Sequence, residues 1–282
     1  MRKNKNKHRA FLKWAGGKYS LIEQIKAHLP EGNKLLEPFV GAGSVFLNTD
    51  YPKYVLNDIN ADLINLYTVL RDAPDTYIND AQAYFNAMNN APEAYYALRK
   101  EFNQTVDIYH RSLLFLYLNR HGYNGLCRYN LSGEFNVPFG RYKAPYFPKA
   151  ELYHFAEKAQ RAVFTCENYK STFARARANN VIYCDPPYAP ISKTANFTQY
   201  AGNLFGLNDQ RELAEHALST AKKRGITVLV SNHDTPDTRE FYHGAEISEL
   251  QVTRSISQKG HTRKKVSELF ALYRGHNAHS RF

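Results

Sequence analysis

Residues 35–48 read LLEPFVGAGSVFLN: an apolar strand runs straight into two glycines and out into an apolar helix start. Gly41 and Gly43 let the backbone come close to a ligand, and the helix that follows offers unpaired N–H groups at its N-terminus. The next short strand, in YVLNDIN, ends at Asp58, 17 residues after Gly41. An acid at that point can accept hydrogen bonds from ribose hydroxyls. The same residues also suit a plain tight turn with a surface aspartate. A nicotinamide dinucleotide is disfavoured, because that pattern needs a third glycine where Phe46 stands.

Outward from this unit the chain keeps the same rhythm. Leu21, Ile22, Ile25 and Leu29 recur at helical spacing, as do Leu63, Ile64, Leu66, Tyr67 and Leu70 after a cap at Asn60 or Asp62. Candidate strands are AVFTCE (162–167), VIYCD (181–185), ITVLVSN (226–232), ISELQV (247–252) and ELFALY (268–273). A helix with Leu213, Ala214, Ala217, Leu218 and Ala221 on one face lies among them. Strands alternating with helices argue a Rossmann-like α/β fold with a mostly parallel, three-layer sheet.

One spacing breaks the rhythm. Asp58 and the next convincing strand, at 162, stand over a hundred residues apart, whereas a βαβ unit takes roughly 30 residues or somewhat more. The interval holds helical patterns at 75–87, 92–103 and 109–119, then turn-rich aromatic sequence with NG at 124–125 and SG at 132–133. Such dipeptides between aromatic runs are hairpin signals. A second, helical and β-hairpin domain is expected at 60–148, inserted into a first domain made of 1–59 and 149–282.

Charge points to the partner. Lys and Arg outnumber Asp and Glu 37 to 26, a net charge of +11. Residues 2–18 hold seven basic side chains and no acid, and residues 254–265 hold five and no acid. Residues 110–149 hold six against the single Glu134, interleaved with nine Phe and Tyr. Basic clusters mixed with aromatics are the footprint of nucleic-acid binding, although a solvated basic face reads the same way. The best apolar run, Leu113–Leu118, is far short of the roughly 18 residues of a membrane span. The basic N-terminus lacks the apolar stretch of a signal peptide, so export is not expected. The three cysteines form no CxxC pair, which fits reduced thiols in the cytoplasm and no zinc site. GHNAHSRF (275–282) reads as a disordered tail.

The strand VIYCD ends on Asp185-Pro186-Pro187-Tyr188. A carboxylate at the end of an apolar strand is costly unless something needs it. The prolines donate no N–H, and the first holds Asp185 extended. The corner presents a carboxylate, a backbone carbonyl and an aromatic face. A structural turn with a capping aspartate and a core tyrosine would look similar.

Glu37-Pro38-Phe39-Val40-Gly41-Ala42-Gly43 together with Asp185-Pro186-Pro187-Tyr188 resembles the motif pair of S-adenosylmethionine-dependent amino-methyltransferases of DNA. The order, with a long insertion between the motifs, resembles their α class. FLKWAGGK (11–18), NGLCRYN (124–130), FNVPFGRYK (135–143), TANF (194–197), SNHD (231–234) and RSIS (254–257) extend the match over roughly residues 10–275. Together they resemble the Dam-type DNA adenine N6-methyltransferases of bacteria and phages, which act on GATC. The chain departs at His121, where close relatives carry Tyr, and at Lys259-Gly260-His261.

The resemblance implies a methyltransferase fold, with S-adenosylmethionine held by Trp14, Lys18, Glu37, Phe39, Gly41, Gly43, Asp58 and Asp185. Lys18 would lie near the cofactor carboxylate and Phe39 near its methionine side; Trp14 equally suits the core. Asp185, Pro186, Pro187 and Tyr188 would be catalytic. Asp185 and the Pro186 carbonyl would each accept a hydrogen bond from adenine N6, and Tyr188 would stack on the base. For DNA, Arg128 would grip a guanine, Leu126 would meet a thymine methyl, and Tyr123 and Asn124 would sit at the flipped-base gap. Pro138 and Arg141 would lie nearby, with Lys13 reading from the other domain. The expected partner is double-stranded DNA, with neither membrane nor metal, for a monomeric enzyme. Competing readings are the same chemistry on RNA or at cytosine N4, where Ser usually replaces Asp185, and a non-catalytic DNA-binding protein on this scaffold.

Overall fold

The computed structural model describes residues 7–189, 199–200, 203–253 and 265–275. TANF, RSIS, Lys259-Gly260-His261, most of the 254–265 basic run and the tail from 276 lie outside the described residues, as do residues 1–6.

Strand β1 (Lys34–Glu37) has Leu35 on one face and Leu36 on the other, both buried. Two apolar faces demand cover on both sides, and they receive it. The main sheet adds β2 (Lys53–Asn57), β3 (Ala162–Thr165), β4 (Asn180–Cys184), β7 (Thr227–His233), β8 (Glu246–Thr253) and β9 (Lys265–Tyr273), in the order β3-β2-β1-β4-β7-β9-β8. Gln199–Tyr200 and Asn203–Leu204, β5 and β6, make a separate two-residue ribbon. The first five strands of the main sheet are parallel; β9 runs antiparallel between β7 and β8. Leu35, Tyr54, Leu56, Val181, Tyr183 and Leu229 face one core, while Leu36, Val55, Ile182, Cys184, Val228 and Val230 face the other. This is the expected three-layer α/β arrangement.

The first core is covered by α1 (Ile22–His28), α2 (Ser44–Asn48), α3 (Ala61–Asp72) and α7 (Lys149–Ala159). It continues without a break into α4 (Pro74–Ala83), α5 (Pro92–Gln104) and α6 (Ile108–His121). The second lies under α8 (Tyr169–Arg175), α9 (Leu207–Arg224) and α10 (Pro236–Phe241). No described residue between β2 and β3 adds a strand to the main sheet. Asn60, not Asp62, caps α3, accepting from Leu63 N. Asp62 instead takes two bonds from Arg111 and one from the Tyr129 hydroxyl, tying α3 to α6 and to the aromatic loop.

The two hairpin signals part company. NG lies in a 3-10 turn, Tyr123–Gly125, directly after α6, with Asn124 left-handed at φ 53°. SG sits at the tip of a short antiparallel pairing of Tyr129 with Phe135, closed by Asn130. Both dipeptides turn the chain: Gly122, just before NG, bridges Phe139, and SG forms the tip of the hairpin that returns between them. Helices α7, α8 and α10 go beyond the sequence reading; of them α7 alone has a legible signal, Leu152, Phe155, Ala156 and Ala159 at helical spacing.

Candidate active site and nucleic-acid interface

Strand order reverses at β1, which pairs with β2 on one side and β4 on the other. In open α/β sheets the crevice at such a point, beyond the carboxyl ends of the strands, is where ligands bind. Glu37 ends β1, and Asp185 follows the last residue of β4.

The glycine loop is braced most closely at Gly41. Gly41 N donates to Asp58 Oδ2 at 3.0 Å, and its carbonyl accepts from the Tyr67 hydroxyl at 2.6 Å. A side chain at Gly41 would stand 2.9 Å from Trp14 Nε1, and φ is +47°, so only glycine fits. Trp14 is thus partly buried against the loop as well as against the core. Gly43 opens α2, and Phe46, in place of a third glycine, is buried edge-on to Tyr54. Phe39 stacks on Tyr169, with Phe205 edge-on. Asp58 also accepts from Asn60 N; burial raises its pKa and these backbone bonds oppose the rise. Glu37 is 2% exposed, and its Oε1 has no hydrogen-bond partner. Burial, then the nearby Asp185, push its carboxyl well above the ordinary range, with Lys158 opposing.

Lys18 meets the acidic corner directly. Its Nζ lies 2.8 Å from Asp185 Oδ1, donates to Gly16 O at 2.6 Å, and hangs 4.5 Å from the centroid of the Tyr188 ring. Ser231 Oγ also donates to Asp185 Oδ1, at 2.8 Å. Burial raises the Asp185 pKa, and these two donors pull it back. The corner itself is held from β7 and α9. Ala189 N donates to Asn232 Oδ1, His233 Nδ1 donates to Ala189 O, and Gln210 Nε2 donates to Pro187 O at 2.6 Å. Asn232 Nδ2 then closes the network on Gln210 Oε1. The Tyr188 hydroxyl donates to Glu268 Oε2 at 2.9 Å, and His233 meets its ring edge-on. Pro186 is buried. Gln210 and Glu268 carry no motif in the sequence, and Ser231 and Asn232 stand only in SNHD.

The residues expected at DNA gather around the 123–128 turn. Tyr123, Asn124, Arg128, Pro138 and Arg141 are exposed, and Leu126 is half-buried. Tyr123 N donates to Pro138 O, and Asn124 N to the Tyr142 hydroxyl beside Arg141. Arg128 Nε donates to Asn136 Oδ1 at 2.7 Å, and Nη2 to Asn136 O. Lys13 reaches the same place from the N-terminal segment: its Nζ lies 3.8 Å from the Tyr142 ring centroid and donates to Arg120 O. Burial, with Arg120 second, lowers the Lys13 pKa to about 8.

Among the described residues no three His, Cys, Asp or Glu are grouped to hold a metal ion, and no helix is long and apolar enough to cross a membrane. A glycine loop facing a buried acidic corner across a strand-order reversal is the layout of an amino-methyltransferase. A model of the D12 class N6 adenine-specific DNA methyltransferases matches residues 14–256, and the chain belongs to that family. Curated relatives agree along nearly the whole chain. "DNA adenine methylase" of Vibrio cholerae is 61% identical over 270 residues, covering 96% of this chain and 98% of the relative. The protein of that name from Escherichia coli (strain K12) is 61% identical over 268 residues, 95% and 96% respectively. The one from Serratia marcescens is 57% identical over 268 residues, 95% and 99%.

Proposed function

We propose that this adenine-specific DNA methyltransferase acts at N6 of an adenine turned out of duplex DNA, within GATC, and that Asp185 is its central catalytic group. The observation that carries the reading is the hold on Asp185: Lys18 and Ser231 both meet Oδ1, which leaves Oδ2 for the amine. Adenine N6 is a poor nucleophile because its lone pair is delocalised into the ring. Asp185 Oδ2 and the Pro186 carbonyl each accept one N6 hydrogen, which lets the nitrogen pyramidalise. As positive charge grows on N6, the fixed carboxylate stabilises it without having to reorient. Tyr188, held at its hydroxyl by Glu268, offers its ring to the base.

S-adenosylmethionine supplies the electrophilic methyl group. The residues present fit it. The buried, unpartnered Glu37 Oε1 suits a cationic ligand, Asp58 suits ribose hydroxyls, and Trp14, Phe39 and the Gly41–Gly43 loop supply aromatic and backbone walls. Lys18 serves Asp185 in this reading as well as the cofactor.

Target recognition is assigned to residues within 60–148 together with Lys13, acting on duplex DNA as a monomer. Arg128 grips the guanine opposite the fourth base of GATC, Lys13 the guanine on the methylated strand, and Leu126 a thymine methyl. Arg141 and Pro138 flank them, with Tyr123 and Asn124 filling the gap left by the flipped base. The test is transfer of tritiated methyl groups from S-adenosylmethionine to GATC duplexes, followed by mapping of the modified base. Label at cytosine, or equal labelling of duplexes without GATC, would refute the assignment.

A further inference from the structure

Asn119 lies near the end of α6 and is wholly buried. Its Oδ1 accepts from Lys13 N at 2.9 Å, while Nδ2 donates to Lys13 O at 2.7 Å and to Gly125 O at 3.1 Å. Every strong hydrogen-bonding position of this amide therefore ends on backbone from two segments far apart in the chain. Only a carboxamide of this length supplies one acceptor and two donors there. Aspartate would set a carboxylate against two carbonyl oxygens, and leucine would leave an N–H and two carbonyls buried without partners.

Gly125 completes the gauge from the other side. At φ +64° it packs so tightly that a Cβ would lie 2.1 Å from Lys13 Cβ and 2.7 Å from Lys13 Cδ. The Lys13 stem is thus confined between Gly125 and Tyr142, with its Nζ directed at Arg120 O. We propose that Asn119 is a positioning residue for sequence discrimination: it fixes the separation of Lys13 from the Tyr123–Arg128 turn so that both engage one duplex in register. The inference rests on the reading of Lys13, Leu126 and Arg128 as base contacts.

The physical weight of such a gauge is large. A displacement of about 1 Å in a supporting group can cost on the order of a hundredfold in rate. Asn119 is wholly buried and spends its amide on Lys13 and Gly125, so its loss should show in discrimination and in KM for DNA, with cofactor affinity unmoved.

The experiment compares Asn119→Asp and Gly125→Ala with the parent enzyme. Methylation rates are measured on GATC duplexes and single-base variants, with cofactor titration calorimetry and thermal melting alongside. Both variants are expected to lose about tenfold or more of the preference for GATC at the outer pairs. Gly125→Ala keeps the Asn119 side chain while its Cβ pushes Lys13 away and strains the turn at φ +64°, so it reads the same separation from the other side where Asn119→Asp does not fold. Parent-like discrimination in folded Gly125→Ala, or in an Asn119→Asp protein that has only lost melting temperature, overturns the inference. A parent enzyme indifferent to GATC would instead overturn the reading of the base contacts, a distinct result visible before any variant is made.

Discussion

Replacing Lys18 by Met asks what keeps Asp185 ionised. The ammonium sits 2.8 Å from Asp185 Oδ1 and is itself buried, its side chain 6% exposed. Burial drives the Asp185 carboxyl above its ordinary range; Lys18, by charge and hydrogen bond, and Ser231 oppose this, while Glu268 adds to the rise. Glu37, itself raised by burial and by Asp185, is a further acidic neighbour. Met keeps the length and apolar volume of the stem and removes only the charge. Losing an opposite charge at this distance moves a carboxyl by about 1–3 pKa units. The sign is upward, because the protonated form no longer competes with an ion pair. The acid limb of the pH–rate profile should therefore move to higher pH by about 1–3 units in Lys18→Met, with recovery toward the parental rate in alkali. Single-turnover transfer of tritiated methyl groups at saturating cofactor measures this free of any change in cofactor affinity. An acid limb at the parental pH, with the rate lowered evenly throughout, would refute the argument and return Lys18 to a purely cofactor-side role.

Four further outcomes are expected. Arg128→Ala should cost about 1–3 kcal/mol at the fourth pair of GATC alone; uniform loss on all variants, with a lower salt slope, would make Arg128 a phosphate clamp. Because the Lys13 pKa is lowered to about 8, DNA that binds its charged form must raise that pKa, so affinity should fall as pH climbs through about 8 and beyond. Lys13→Arg should flatten that slope in fluorescence titrations. Glu268→Ala and Tyr188→Phe each break the 2.9 Å hydroxyl–carboxylate bond. Their effects on kcat should be strongly non-additive, and a coupling energy near zero in the double-mutant cycle would argue that the bond does not hold the ring in place. Finally, buried His121, stacked on Tyr117, has its pKa lowered from 6.5 to about 4 by burial. The unfolded chain takes up that proton first, so stability is lost as pH falls from about 6.5 to 4, at most on the order of 3 kcal/mol. His121→Phe should unfold with a shallower pH dependence over that interval in urea titrations.

What the sequence determined by itself was local in cause. LLEPFVGAGS could be read because period, glycine conformation and helix start all act within a dozen residues. Asp185-Pro186-Pro187-Tyr188 could be read locally as a stiff strand-end corner, because two prolines and a carboxylate constrain one another directly, but its marking as a site came from its pairing with the glycine motif. Alternation of strands and helices then sufficed for a three-layer sheet, while the basic clusters fitted a nucleic-acid partner and a solvated face alike. Tertiary structure alone decided which polar groups meet. Lys13 and Asn119 are 106 positions apart, Asp185 and Ser231 46, Tyr188 and Glu268 80. Ser231 and Asn232 close an apolar strand run, and Asn119 directly follows the most apolar run, Leu113–Leu118, where periodicity marks burial but not the partner. Lys18 likewise carries no sign in its own segment that its ammonium faces Asp185. A buried hydrogen bond is defined by two groups that folding brings together, and no property of either segment alone specifies the other.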